Sequence, residues 1–508
     1  MVGVPGRSKA CLTCRRRRKG CDGARPNCSQ CIAAGLECAG YARQTIFVNW
    51  TEGDTPVAYS RRDREGNTTN ARQTARDGAV ARQQAGGAMR PLLHGLTRTA
   101  YVERYNGLFW SQFLPHGKKA SARANDHCGS EGFLLVAESM YTSQPAVQRV
   151  LLALSLSTVG RSNRDMALVH GGVRAYTSTV QSLANMIASG LSMGSDVALI
   201  LVKGLNTFEI MFGEDHAEIV AQSRKLISHI EGEIAMLEAR GPASLQTGDA
   251  HEMLVVGRLF LLVSNIRTRK RSFLHSPEWM SVPWLVIPKN PRDRLVDIMF
   301  EVAGLLEDID SLQAAASNGD KNYETLRLDI ADACWQLDER LQRWSAEDAP
   351  VVSFYDSAGS FREAWDPDDY ARADMVQVYW SACLLLYELM GMVVDDPQSL
   401  PARCDPLVYL RKIGETLPVI WTAGAGIIAT ARGTFPMGVA LYVLYSHPYT
   451  DPEIIGMFAR LRARPDVQAT LGPFMDSLVA ELVTQKAPRL QQDMVTRTRT
   501  SAPGATAQ

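Results

Sequence analysis

The chain changes texture along its length. From about residue 96 onward, apolar side chains recur at three-, four- and seven-residue steps. Leu108, Phe109, Phe113 and Leu114 open the pattern, and Val136, Met140, Val147, Val150, Leu151 and Leu154 continue it. Ile219, Leu226, Ile230, Ile234 and Leu237 repeat it, as do Leu295, Met299, Val302, Leu306 and Ile309, and then Met375, Val378, Leu385 and Leu389. This spacing places apolar groups on one face of an α-helix. Strictly alternating segments are scarce, so residues 96–487 read as a large all-α domain.

The period disappears on either side of that domain. Residues 51–95 hold few large apolar side chains and many Arg, Gln, Thr, Asp and Gly, and the stretch 46–95 is expected to be a flexible linker. The phrase YARQTIFVNW at 41–50 has enough apolar surface to pack on a neighbouring domain. No sustained a/d heptads follow the N-terminal region, so no dimerising coiled coil is expected there. Dimerisation through the large domain and monomeric action both stay open. Residues 488–508 read as a disordered tail.

Residues 1–45 show neither period, and here composition changes the picture. The whole chain of 508 residues is 46% apolar and 21% charged, which excludes wholesale disorder and collagen-like repeats. Its 54 basic and 54 acidic residues balance, but the balance hides a gradient. Residues 1–45 carry nine Lys or Arg against Asp22 and Glu37, so the remainder is acidic by seven charges. A basic arm on a mildly acidic body points to an anionic partner. No run reaches the roughly 18 apolar residues that a membrane span needs; the one at 437–445 has nine. The N-terminus MVGVPGRSKAC lacks the apolar core of a secretory signal, which predicts a reducing compartment.

Six of the ten cysteines, Cys11, Cys14, Cys21, Cys28, Cys31 and Cys38, lie in the order C-x2-C-x6-C-x6-C-x2-C-x6-C. In a reducing compartment this reads as a metal site and not as three disulfides. The spacing is an internal repeat of C-x2-C-x6-C. Three ligands per half do not close a tetrahedral zinc site, which takes four. Two zinc ions need eight ligand places, and six sulfurs fill eight if two bridge both ions. The symmetric solution makes Cys11 and Cys28 the bridges. One closed site with two spare cysteines is the competing arithmetic. The fold class expected here is a small zinc-organised module of two short helices around a two-zinc thiolate cluster.

The two halves differ in charge. Arg15, Arg16, Arg17, Arg18 and Lys19 lie between Cys14 and Cys21, whereas the second half holds Ile32, Ala33, Ala34, Gly35, Leu36 and Glu37. Only the first half suits a phosphate backbone, and Arg and Lys pair with guanine O6 and N7 in the major groove. A charge run alone reads as a solvated face or an import patch. On a metal cluster it reads as a DNA-reading element.

The segment CLTCRRRRKGCDGARPNCSQCIAAGLECAGY, at residues 11–41, resembles the fungal six-cysteine binuclear zinc cluster of transcription regulators. The resemblance implies that the basic helix after Cys14 enters the major groove and reads a CGG-type triplet. The family's usual lysine falls at Arg18, with Lys19 beside it, so either could read bases. Asp22 and Pro26 match the common pattern, and the resemblance implies that Pro26 shapes the loop between the halves, often through a cis bond. TRTAYVERYNGLFWSQFLP, HIEGEIAMLEARGP, RSFLHSPEW and GTFPMGVALYVL also resemble the helical regulatory domain that follows the cluster in one branch of the family.

Enzyme signatures read as packing. G-x-S-x-G at 190–194 follows a helical pattern where a nucleophile elbow needs a strand. G-x-G-x-x-A at 424–429 lacks a βαβ frame and reads as a turn. His251-Glu252 lacks a second histidine at zinc-protease spacing. Cys128, Cys334, Cys383 and Cys404 read as packed thiols. Arg267, Arg269, Lys270 and Arg271 form a second basic cluster, read as a solvated helix end, with an import signal as the alternative. The expectation is a nuclear, non-enzymatic, sequence-specific regulator of RNA polymerase II transcription that binds two zinc ions and double-stranded DNA. It would work with transcription co-regulators, away from membranes. Activation is the preferred sign, and a fungal metabolic or biosynthetic gene set, secondary metabolism included, is the expected target. The alternative is a helical small-molecule sensor or enzyme body with accessory DNA binding.

Overall fold

The computed structural model describes residues 10–17, 19–24, 27–38, 103–113, 132–189, 195–213, 221–422, 425–427, 432–446, 451–465, 467, 471–472 and 474–477. They fall into two units, one before residue 90 and one after it. The linker expected at 46–95 and the tail expected at 488–508 lie outside the described residues. So does any coiled coil directly behind the cysteines.

The first unit has two short helices, α1 (Leu12–Arg17) and α2 (Ser29–Ala33). Its shielded apolar groups are Cys11, Cys14, Cys28 and Cys31, with Ala10, Cys21 and Cys38 packed against them. No aliphatic or aromatic core exists among the described residues of this unit.

The described residues of the second unit are predominantly helical. Its earlier helices are α3 (Gly132–Met140), α4 (Pro145–Ser162), α5 (Met166–Ala188), α6 (Asp196–Phe212), α7 (Ala221–Arg240) and α8 (Gly248–Thr268). After the short helix α9 (Pro277–Ser281) come α10 (Pro291–Asn318), α11 (Tyr323–Glu347), α12 (Pro367–Val393), α13 (Pro406–Ile420), α14 (Thr434–Ser446) and α15 (Pro452–Arg462). Among the described residues the sole β-pairing is an isolated antiparallel bridge between Tyr355 and Phe361.

Local chemistry sets where many of these helices begin. Asn290, Asp366, Asp405 and Asp451 each cap a helix by accepting a bond from a backbone N–H of the first turn, and each is followed by proline. The carboxylate or amide fills one orphan donor, and proline has no N–H to leave unsatisfied at the first helical position. At Asn290 the cap is reciprocal, because Asp293 accepts from the Asn290 N–H at 3.2 Å while Asn290 accepts from the Asp293 N–H at 2.9 Å.

The periodic apolar positions become the core. Phe109, Phe113, Val136, Leu151, Leu226, Ile230, Leu306 and Leu385 are all buried. Met140 and Ile234 are half-buried, and Leu114 and Ile219 lie outside the described residues. Leu108 is exposed: Phe109 and Phe113 turn inward one helical turn apart, with ring centroids 4.5 Å apart, which rotates Leu108 away. Helix α12 packs against α10, α11, α13 and α14. It is the one described helix long and apolar enough to cross a membrane, but 83% of its most apolar window is buried inside the unit. A helix apolar all round is what an axial position in a bundle requires.

Buried charges are matched. Lys203 of α6 donates to Glu233 of α7 at 2.5 Å, with 4% and 1% of the side chains exposed, and Asn206 donates to the other carboxylate oxygen at 3.2 Å. Gly257 of α8 faces this pair, and a Cβ there would collide with both charged groups. Arg258 of α8 reaches Asp293 and Asp297 of α10, with Trp284 under its guanidinium at 5.0 Å.

The second basic cluster ends α8 as expected, but it is not simply solvated. Lys270 meets Glu307 at 3.0 Å, Arg271 meets Asp308 at 2.7 Å and Arg269 donates to Asp310, all on α10. Arg269 sits in the left-handed region (φ 54°) as the α8 cap, a strained place for a side-chain-bearing residue. Its bonds to Asp310 and to the Tyr442 hydroxyl hold it there.

Removing one member of a buried ion pair leaves the other charge without compensation. Glu233→Ala should therefore destabilise the helical unit by about 3–5 kcal/mol, whereas Lys203→Met combined with Glu233→Leu should recover most of that loss. Urea unfolding of the full chain measures both; a loss under about 1 kcal/mol for Glu233→Ala would show that water reaches the pair.

His229 gives a pH signature. It is packed among α5, α6 and α7, bonds the Tyr176 hydroxyl at 3.1 Å, and burial, with Lys225 nearby, pushes its pKa down to about 4. The unfolded chain takes up this proton near 6.5 and the folded chain resists until about 4, so stability falls as pH drops through that window. The full loss is about 3 kcal/mol. His229→Gln should flatten the pH 7 to pH 4 stability profile by this component.

Candidate metal centre and nucleic-acid interface

The internal repeat of the sequence is a repeat of structure. Cys11 accepts from the Cys14 N–H at 3.3 Å and Cys28 accepts from the Cys31 N–H at 3.4 Å, so each half begins with a sulfur capping its own helix. The halves also end alike: the Lys19 N–H donates to the Cys14 carbonyl at 3.1 Å, and the Leu36 N–H to the Cys31 carbonyl at 3.0 Å. Gly35 supplies the left-handed residue (φ 61°) of the second of these turns.

Two further contacts hold the halves together. Thr13 donates its hydroxyl to the Glu37 carbonyl at 3.0 Å, and the Asp22 carboxylate accepts from the Ser29 N–H at 3.2 Å. The bonds with Ser29 hold the Asp22 carboxyl below the usual carboxylate range.

None of the six cysteines is joined in a disulfide. Cys11 and Cys28 lie 3.6 Å apart, Cys14 and Cys28 3.6 Å, and Cys11 and Cys31 3.7 Å, all measured between sulfurs. A tetrahedron of thiolates about 2.3 Å from a zinc ion has edges of about 3.8 Å, so these separations fit zinc ligation. The sulfurs form two sets, Cys11, Cys14, Cys21 and Cys28, and Cys11, Cys28, Cys31 and Cys38, each with all its members within 4.8 Å of one another. Cys11 and Cys28 belong to both. Six sulfurs placed this way can fill eight ligand places, the first cysteine of each half being common to both sets. The arithmetic of one site with two spare thiols is not what the geometry supports.

The protonation chemistry agrees. Burial pushes the Cys14 thiol up to about 12 and the Cys28 thiol further still. Sulfurs crowded together without a cation hold their protons, so loading with a divalent ion must release them and metal affinity depends on pH.

The basic run occupies α1 and the turn beyond it. Arg16 and Arg17 on α1 and Lys19 after it are exposed. Among the described residues none of these three makes an ion pair. Arg15 lies on the same helix, but its side chain is outside the described residues, as are Arg18, Arg25 and Pro26 in full. The shape that Pro26 gives the loop is therefore not described. Helix α2 carries no cation and exposes Ile32 instead. The positioning roles of Thr13 and of the capping sulfurs were not read from the sequence; the identical C-x2-C spacing of both halves was the available signal for the caps.

The enzyme-like motifs take packing positions where they are described. The 190–194 motif lies outside the described residues, but helix α5 precedes it, where the nucleophile elbow needs a strand. Helix α13 precedes Gly426, which sits in a turn at φ 79°. His251 bonds the Leu245 carbonyl at 2.9 Å and packs edge-on to Trp284. Cys334, Cys383 and Cys404 are buried, with burial pushing the first two up to about 12, and Cys128 is outside the described residues.

Shared sulfurs, paired helices and a one-sided basic surface define the class of a two-zinc cysteine cluster module. Residues 9–45 match the fungal Zn(2)-Cys(6) binuclear cluster domain, and the N-terminal unit is such a domain, binding two zinc ions. Over 33 residues the chain is 52% identical to an uncharacterised transcriptional regulatory protein of Saccharomyces cerevisiae. That stretch is 6% of this chain and 2% of the yeast protein's length. No solved structure matches the chain.

Bridging sulfurs give an unequal mutational pattern. Metal analysis of the purified full chain should return two zinc ions beyond any adventitious binding, reduced to one by Cys21→Ala or Cys38→Ala. Cys11→Ala or Cys28→Ala should lose both, because each removes a ligand from both sites. Loss of one ion from every single variant would refute the bridges.

Proposed function

We propose that the protein is a nuclear, sequence-specific DNA-binding regulator of RNA polymerase II transcription. Helix α1 enters the major groove and reads a CGG-type triplet. The observation that carries this reading is the exposed Arg16 and Arg17 on a helix whose first turn is anchored to the metal-binding sulfurs, with exposed Lys19 in the turn just after it. A rigid mount matters because base readout needs side chains held in register, while free cations bind any duplex through its phosphates. Arg15 and Arg18 extend the same basic surface in sequence. With five cations over little more than one turn, some meet phosphates while others reach base edges. The transcriptional role of the yeast relative supports the same assignment. Target genes in a fungal metabolic or biosynthetic set, activation as the sign of control and co-regulators on the helical unit complete the proposal.

The test separates readout from attraction. Arg18→Ala or Lys19→Ala in the zinc-loaded full chain should lower discrimination between CGG-containing and scrambled duplexes by about 1–3 kcal/mol at whichever residue reads a base. A residue that contacts phosphate should instead weaken both duplexes alike and flatten the salt dependence. If neither variant nor wild type distinguishes the two duplexes in a binding titration, base reading by this helix is wrong.

A further inference from the structure

Helix α5 carries a second stripe beside the one it buries. Val169, Gly172, Thr179 and Leu183 face the interior, where α5 packs on α4 and α6. Met166, Val173, Val180 and Ile187 follow one another at seven-residue steps along the edge of that face. Met166, Val173 and Ile187 are 57%, 44% and 45% exposed, and Val180 is half-buried. His170, Thr177 and Ala184 fall between them and are exposed too, so the stripe advances by alternate steps of four and three over the whole helix. That is the heptad spacing of a seam between two helices, and here it is open to solvent.

The composition of α5 points the same way. Arg174 is the only Lys, Arg, Asp or Glu among its 23 residues, in a chain that is 21% charged, and it lies off the stripe. The solvent face of a surface helix normally carries charges, whereas the centre of a protein–protein contact is depleted of them. The face is also firmly mounted. Asp165 caps α5 by accepting from the Ala167 and Leu168 N–H groups, and a Cβ on Gly172 would collide with Ser157, so α5 lies hard against α4.

The order of the side chains identifies what covers them. Met166, Val173, Thr177, Val180 and Ile187 run large, branched, hydroxyl, branched, large, and the order is the same from either end. Turned end for end, the stripe meets its own image, which is what a two-fold contact between identical surfaces requires. We propose that α5 is the contact face of a homodimer, two copies packing antiparallel about a two-fold axis beside Thr177, with Met166 of each opposite Ile187 of the other and Val173 opposite Val180. A helix of this length is about 35 Å long and 10–12 Å across, so the contact covers roughly 400 Å² of each copy. Such an area is at the weak end of specific interfaces, and the dimer forms reversibly at micromolar concentration. Where α1 reads DNA, the dimer brings two reading helices to one duplex.

Sedimentation velocity of the zinc-loaded full chain without DNA, from about 1 to about 100 µM, tests the proposal. The wild type should pass from monomer to dimer with no larger species. Val173→Glu and Ile187→Glu should each weaken the dimer at least about tenfold, because each puts a carboxylate into the seam. Asn185→Glu adds the same charge to α5 away from the stripe and should leave association unchanged. Met166→Lys combined with Ile187→Glu should regain most of what Ile187→Glu loses, since the two positions lie at opposite ends of one helix and meet only across the axis. A monomer at every concentration, a dimer indifferent to both glutamate variants, or no regain in the double variant would overturn it. Should Val173→Glu fail to fold, Ile187→Glu, one residue from the end of α5, and the charge exchange still decide. No DNA is present, so failure here leaves the nucleic-acid reading standing.

Discussion

Sharing of six sulfurs between two positive ions is the constraint on which the N-terminal unit depends. A module this small has little apolar surface to bury, and its shielded interior is made of thiols. Thiols packed together are poor cores, since each resists ionisation and none contributes the area of a leucine. Two zinc ions change the sign of the problem: the ligands become thiolates, and their mutual repulsion is replaced by attraction to the metal. Folding free energy then comes from coordination. Capping follows from the same atoms, because Cys11 and Cys28 accept backbone N–H bonds and are the sulfurs common to both sets. In each half the sulfur that caps the helix is also the one common to both sets, so a short repeat can serve both ends.

The helical unit handles charge by a different route. Several of its described carboxylates sit at helix starts or opposite basic side chains. Asp366, Asp405 and Asp451 begin helices, as the amide of Asn290 does, Glu233 and Asp297 face buried cations, and buried Asp374 faces the half-buried Arg292. Buried pairs of this kind add little net stability over apolar packing, but they penalise any arrangement that separates the partners. A bundle of long apolar helices has many near-equivalent packings, and Lys203 with Glu233 allows α6 and α7 to meet in few of them. Gly257 extends the restriction to α8, since a side chain there would occupy the space of the ion pair.

Much of this was legible in the residues. The cysteine spacing pointed to two four-sulfur sets with Cys11 and Cys28 common to both, because ligand counting admits few answers when each site needs four and each half offers three. Helical period located the core, since Phe109, Ile230, Leu306 and Leu385 all fall inside it. Asx-Pro at 290, 366, 405 and 451 marks four helix starts by local chemistry alone. Other features had no local signal: that Arg267 lines a small cavity while Arg269 caps a helix depends on where α10 and α14 pass, which are remote in sequence.

The two basic clusters show why charge density by itself does not identify a nucleic-acid surface. At the end of α8, Arg269, Lys270 and Arg271 face Asp310, Glu307 and Asp308, so the field of three cations is largely cancelled within one screening length. On α1 and the turn after it, no ion pair holds Arg16, Arg17 or Lys19 among the described residues. A phosphate approaching the α8 cluster must displace a carboxylate, whereas one approaching Arg16, Arg17 or Lys19 meets no paired carboxylate among the described residues. The difference arises from the partner helix, not from the run of Arg and Lys, and it gives the N-terminal unit a surface that attracts a polyanion in a chain whose formal charge is zero.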